Sequence, residues 1–295
     1  MAENTGDGSI DVPTNIPSEN ISEEAINQNP ETENMEVHHH AHHEGKKNWK
    51  SYFWEFLMLF LAVFCGFLAE YQLEHKIERD RAVELAKSFY FELKNDSVTA
   101  VVKVQNRIKQ ENALAAIVKY FKDSSLNNVT KTFAINFEYG INFRTPSIFE
   151  PKTTILEQLK NSGSLRYFKN DELQTLIGDL TVAIKNIYDR QDLESQNRLQ
   201  YLNPIIIQLY DYDFDAHLKQ NGKSVFEGVK EYESSSDIFP FHIDNPEKFD
   251  KQNAVKVLNF FRANAVSSTR VTFIKKYVDL NAELLKLLRK EYHLE

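Results

Sequence analysis

Between Tyr52 and Tyr71 the chain reads Tyr-Phe-Trp-Glu-Phe-Leu-Met-Leu-Phe-Leu-Ala-Val-Phe-Cys-Gly-Phe-Leu-Ala-Glu-Tyr, the most apolar window in its 295 residues. A stretch of this kind has to leave water, either for a protein core or for lipid. Its strictly uncharged part, Phe56 to Ala69, is 14 residues long. As a helix that covers about 21 Å against a hydrocarbon core of roughly 30 Å, so length alone also admits a buried core helix. Three features favour a membrane span. Apolar residues surround the helix on every side, Trp49, Tyr52, Trp54 and Tyr71 form aromatic ends, and Lys46, Lys47 and Lys50 sit just outside. We therefore expect one transmembrane helix over 49–72, in contact with membrane lipid.

The span is expected to persist as an anchor, because no small-x-small cleavage site follows it and the apolar run begins only at Tyr52. Cys65 follows Ala-Val-Phe, which lacks the small residue that precedes a lipidated cysteine, and reads as a small apolar residue within the span. Glu55 and Glu70 bracket the run at headgroup depth, where a carboxylate reaches water. Ala62 and Gly66 are four apart on one face, a spacing that lets two helices approach closely and offers a route to a homo-oligomer. Lys46, Lys47 and Lys50 on one side are balanced by Lys76, Arg79, Arg81 and Lys87 on the other, so charge does not set the orientation.

Charge divides the chain a second time. Residues 1–37 hold nine Asp or Glu and no Lys or Arg, whereas the remainder carries 35 basic and 34 acidic residues. The tail's isolated Ile10, Ile16, Ile21 and Ile26 bury too little to offset the entropy of ordering it, and we expect disorder over 1–48. The balanced remainder offers no single-sign field for nucleic acid, which is excluded as a partner. His38, His39, His40, His42 and His43 form the one metal-like cluster, a tract able to take zinc, nickel or copper. It lies in the tail without a second layer of residues to fix ring geometry, so metal binding stands as the alternative function beside a solvated, pH-responsive segment.

Beyond the span, no glycine occurs between Gly66 and Gly140 and the next proline is Pro146, so long helices are expected over 73–295. Leu73, Ile77, Leu85, Phe89 and Leu93, then Ile108, Ala115, Ile117, Val118 and Phe121, give an apolar stripe with a polar break at Asn95-Asp96-Ser97. The spacing does not keep a strict heptad, which predicts a packed helix face continuing the membrane helix as a juxtamembrane stalk. Leu173, Leu176, Ile177, Leu180, Ile184, Ile187 and Tyr188 make the clearest amphipathic helix, capped near Asn170 or Asp171. Ile205–Leu218, Phe249–Ala265 and Val271–Leu294 read as further helices, with 222–246 rich in loops. One segment departs from this pattern: Phe133, Ile135, Phe137, Tyr139, Ile141 and Phe143 alternate with the period of a strand, leaving 132–143 between strand and helix.

A single cysteine and nine glycines leave no disulfide framework, no thiolate zinc site and little material for phosphate-cradling loops. No Gly-x-Gly-x-x-Gly, P-loop, Cys-x-x-Cys, His-Glu-x-x-His or Gly-x-Ser-x-Gly motif occurs. Asp211, Asp213 and Asp215 begin like a calcium loop, but Ala216 replaces the required glycine and Gly222 the bidentate glutamate, so the trio reads as a helix-terminating turn. His75, His217, His242 and His293 are isolated in sequence. No catalytic residue and no cofactor is assigned, and an enzyme is not expected.

The run Trp-Lys-x-Tyr-x-x-Glu-Phe-Leu-Met-Leu-Phe-Leu-Ala-Val from Trp49 to Val63, the Gly-Phe-Leu-Ala-Glu end of the span, and the stretch Thr153 to Leu173 carry a resemblance. Together with the charged helix after the span, they make the chain similar to a widespread family of uncharacterised bacterial single-pass membrane proteins with a helical extramembrane region. The acidic, His-rich tail departs from the shorter basic N-termini of that family. The resemblance implies an inner-membrane anchor, a cytoplasmic tail and a periplasmic helical domain, and brings no catalytic residues. Within Thr153–Leu173 the residues themselves read as a short helix ended by a left-handed Gly163, a tight link and a new helix. The expectation is thus a mainly α, single-pass membrane protein whose domain works by interaction or sensing with an unidentified protein partner.

Overall fold

The computed structural model describes residues 48–294, so the tail expected over 1–48 lies outside them but for Asn48. Among the described residues every regular element is helical. The chain divides into two units between Leu61 and Ala62, and the residues of one helix, α1 (Trp49–Asp123), belong to both. With no proline and only Gly66 to weaken it, nothing in this sequence interrupts hydrogen bonding, and Lys122 in its last turn complements the helix dipole. In the first unit the described chain is the start of α1, with Trp54, Phe56, Leu59 and Phe60 exposed and the Phe56 and Phe60 rings stacked at 6.2 Å.

In the second unit α1 begins to bury side chains at Ala82. Among its buried and half-buried positions is a run of Ala82, Ala86, Phe89, Leu93, Asp96, Ala100, Lys103, Arg107, Gln110, Leu114, Ile117 and Phe121, flanked by buried Tyr90, Glu92, Ala113 and Val118. The positions of the run alternate in steps of four and three, the spacing of a helix seam that faces its neighbours along its whole length. The heptad missing from the apolar pattern is therefore present in the burial pattern, because polar residues occupy four of its inner positions. The same spacing recurs on α4 (Asp171–Asn197) at Leu173, Ile177, Leu180, Ile184, Ile187 and Gln191. Asn170 caps α4 by accepting from Leu173 N at 3.1 Å.

Two cores are strung along α1. The first packs Ala82–Ala100 of α1 against α3 (Thr154–Asn161), α4 and α9 (Lys275–Tyr292), with Phe149 and Phe168 delivered from loops. Gln191 holds the Phe149 backbone at both ends, accepting from its N–H at 2.8 Å and donating to its carbonyl at 3.0 Å. Gly163, at φ 68°, makes the expected left-handed turn after α3. The second core joins Ala113–Phe121 of α1 to α2 (Lys131–Phe137), α5 (Asn203–Leu209), α6 (Tyr212–Leu218), α7 (Val225–Ser234) and α8 (Lys251–Phe261). Phe241, on a loop, locks it, with ring centroids 5.3 Å from Phe137 and 5.1 Å from Phe214.

Several local expectations change. The alternating segment 132–143 is helical, α2 running into a π-helical turn Glu138–Asn142, because Phe133, Phe137 and Ile141 also lie four apart and all face the core. That turn lies so close to α1 that a Cβ on Gly140 would stand 3.0 Å from Leu114 N. Asn95-Asp96-Ser97 does not break α1. Asp211 starts a helix instead of ending one, accepting from Asp213 N and Phe214 N at 3.0 and 3.1 Å. Within 222–246 a Ser224–Glu227 capping box nucleates α7. α8 passes into α9 through π-helical turns at Arg262–Ser267 and Thr269–Ile274, so the two expected C-terminal helices are joined.

Candidate functional site

The polar positions of the α1 seam organise the second unit. Asp96 accepts from Lys152 N and from the Tyr277 hydroxyl, each at 2.9 Å, while Asn281 donates to Leu93 O at 3.1 Å and accepts from Ser97 at 2.8 Å. One turn earlier Glu92 accepts from Ile155 N and Leu156 N at 2.9 and 3.3 Å, an acidic cap for α3 supplied by another helix. Burial raises the pKa of both carboxyls and outweighs these hydrogen bonds, with Asp96 adding a like charge to Glu92.

Farther along, Arg107 is 1% exposed and meets Glu194 of α4 through two parallel bonds of 3.0 and 3.2 Å. Thr269 donates to the same carboxylate and accepts from Arg190 Nε at 3.3 Å. Nearby, Arg270 binds Glu111 at 2.7 and 3.0 Å, tying α1 to the turns between α8 and α9. Buried pairs of this quality fix which helices meet, and breaking one strands the other's charge. Arg107 Nε nevertheless has no acceptor among the described residues. Arg107 lines a small cavity of about 20 Å³ with Gln110, Ser147, Glu194, Arg144 and Arg198, room for one water-sized particle.

Arg144 and Arg198 also line an open cleft of about 690 Å³, together with Lys103, Asn142, Phe143 and Phe226. The elements bring these together from afar: Lys103 from the α1 seam, Asn142 and Phe143 from the end of the π-helical turn, Arg198 from the turn after α4, and Phe226 from α7. Arg198 donates to Asn142 O at 2.6 Å, and Arg144 donates to the Ser195 hydroxyl. Neither arginine forms an ion pair among the described residues. Burial, reinforced by the charge of Arg144, lowers the Arg198 pKa to about 10. Burial also lowers that of Lys103, with Glu150 opposing and Arg107 reinforcing the effect. The Phe143 and Phe226 rings meet edge to face at 5.4 Å, and Lys230 Nζ sits 4.2 Å from the Phe226 centroid. The cleft thus combines positive charge with an aromatic wall, a setting that accepts an anion.

The residues singled out in the sequence lie elsewhere. His38, His39, His40, His42 and His43 fall outside the described residues. Ala62 and Gly66 are exposed on α1, and a Cβ on Gly66 would meet nothing within 4 Å. Cys65, Glu55 and Glu70 are also exposed. His75 lies edge-on to Tyr71 at 4.1 Å, and His293 takes a left-handed conformation at the end of α9. His242 stands 3.7 Å from Asp211. His217 pairs with Asp237 at 2.9 Å and stacks on Phe239 at 4.2 Å. Ser235 shares that hollow, but its hydroxyl donates to Tyr232 O at 3.0 Å. Among the described residues no three His, Cys, Asp or Glu side chains converge as metal ligands.

Sequence reasoning did not find the cleft, since its cations are scattered along the chain and carry no motif. One signal was available: Lys103 and Arg107 occupy seam positions where an apolar residue is expected. One helix among the described residues, α1, is long and apolar enough to cross a membrane, and none of its apolar window is buried. No family model matches the chain, and no curated protein or solved structure is similar to it.

Proposed function

We propose that this is a single-pass inner-membrane protein whose helical domain works by interaction or sensing, not by catalysis. The observation that carries the reading is the exposure of the apolar stretch of α1, in the same uninterrupted helix whose later turns build both cores. Leaving that many aromatic and aliphatic side chains in water opposes the hydrophobic effect, and lipid removes the conflict. Ala62 and Gly66 then offer the close-packing face for a second copy, and the tail faces the cytoplasm with the domain in the periplasm. The domain's ion pairs and caps hold α1 to α3, α4 and the α8–α9 turns, a framework suited to binding. The test is protease treatment of intact spheroplasts bearing a C-terminally tagged protein, combined with co-purification from mild detergent. Digestion of the tag and recovery of a stable partner or dimer are expected; a protected tag reverses the orientation, and a lone monomer in every preparation overturns the interaction reading.

A further inference from the structure

We propose that the cleft between α1, α7 and the turns after α2 and α4 binds a small organic anion, a carboxylate or phosphate on an apolar body. Its charge would sit between Arg144 and Arg198 and its body against Phe143 and Phe226. The inference goes beyond the membrane reading, and only the source of the ligand rests on it.

Four observations carry it. First, among the described residues the half-buried Arg198 donates to one carbonyl and the exposed Arg144 to one hydroxyl, although a guanidinium has five N–H donors. The acid that lines the neighbouring cavity with both of them, Glu194, is taken up by Arg107, which leaves the charge of the two arginines for a bound anion to meet. Second, the wall opposite is aromatic, and Phe226 is itself flanked by Lys230, so the site pairs apolar contact with a positive field. Third, the volume of about 690 Å³ falls in the range of small-molecule sites, about 300–1,000 Å³, which favours a small ligand over an acidic peptide chain. Fourth, Arg144 and Arg198 also line the small cavity that Arg107 lines, and Arg107 is fully buried with its Nε lacking an acceptor among the described residues. A third guanidinium thus stands behind the first two with bonding capacity unused.

The ligand is drawn from solution. Lys103 stands about 48 Å along α1 from Tyr71, at about 1.5 Å per residue, beyond the reach of a headgroup at the apolar stretch.

The test uses the full chain in uncharged detergent micelles and titration calorimetry with phenyl phosphate, benzoate, inorganic phosphate and benzyl alcohol. Saturable binding of phenyl phosphate or benzoate is expected, with inorganic phosphate at least tenfold weaker and benzyl alcohol not binding. Arg144→Gln and Arg198→Gln should each weaken binding at least tenfold, while Arg79→Gln, on the exposed stalk, leaves it unchanged. Arg198 also supports Asn142 O, so Arg144→Gln, at an exposed position, decides if the Arg198 variant misfolds. No saturable binding of either aromatic anion to folded protein overturns the proposal, as does binding unaltered by Arg144→Gln. Binding only of a Glu-rich peptide replaces the small molecule with a protein partner and overturns it too. Displacement of phenyl phosphate by phosphatidylglycerol vesicles, with phosphatidylcholine vesicles inert, would overturn the soluble source.

Discussion

The two halves of α1 invert the usual relation between charge and burial. From Phe56 to Ala69 the helix carries no charge and buries no side chain; from Ala82 to Phe121 it buries Glu92, Asp96 and Arg107 along with its apolar residues. In the second half each buried polar group is met by an element remote in sequence, so burial there is specific. In the first, exposure is all-round and the side chains are interchangeable apolar surface. A single uninterrupted helix therefore presents two kinds of surface, and the change from one to the other is written in side chains, not in the backbone.

Truncation should separate the halves most sharply. Phe89→Ala, fully buried in the first core, is expected to lower the domain's unfolding free energy by about 3–5 kcal/mol in detergent, by removing apolar contacts and leaving a cavity. Phe60→Ala in the exposed half should leave that unfolding transition in place, and a comparable loss from both would erase the distinction. Next comes the buried pair: Arg107→Met or Glu194→Gln alone should cost about 3–5 kcal/mol in chemical denaturation, and the double change clearly less than the sum.

The polar groups of the second core respond to pH. Glu138 is 2% exposed, and burial raises its pKa from 4.5 to about 7, helped by Asp215 and opposed by Asn142 and Lys219. Its folded value lies above its unfolded one, so protonation favours the fold: the contribution is full below about pH 4.5 and is lost as pH rises through 7. Glu138→Gln should therefore match the parent near pH 4 and exceed it at pH 8 by something on the order of 3 kcal/mol, read from paired unfolding curves. Equal curves at both pH values would place Glu138 in water. The smallest effect belongs to local structure: Asn170→Ala, removing the α4 cap, should cost about 1 kcal/mol.

What could be read from the sequence follows the range of the interactions. The left-handed Gly163, the Asn170 cap and the α4 stripe depend on neighbours within a few residues, and all were legible. Asp96 looked like a break because its partners, Lys152 N and the Tyr277 hydroxyl, are 56 and 181 residues away. Segment 132–143 was ambiguous because its alternating aromatic set contains a helical one, Phe133, Phe137 and Ile141, and only the approach of α1 at Gly140 selects it. The cleft depends on four separate elements and has no local signature at all.

The central claim is that the exposed half of α1 lies in lipid while the other half folds a domain. Alkaline carbonate extraction of membranes from cells producing the full chain tests it directly, beside Leu61→Arg, which places a charge near the middle of the uncharged run at about 2.5–3.5 kcal/mol. The account predicts that the parent pellets with the membranes and that the Leu61→Arg protein pellets less. Parent protein recovered in the soluble fraction would contradict it.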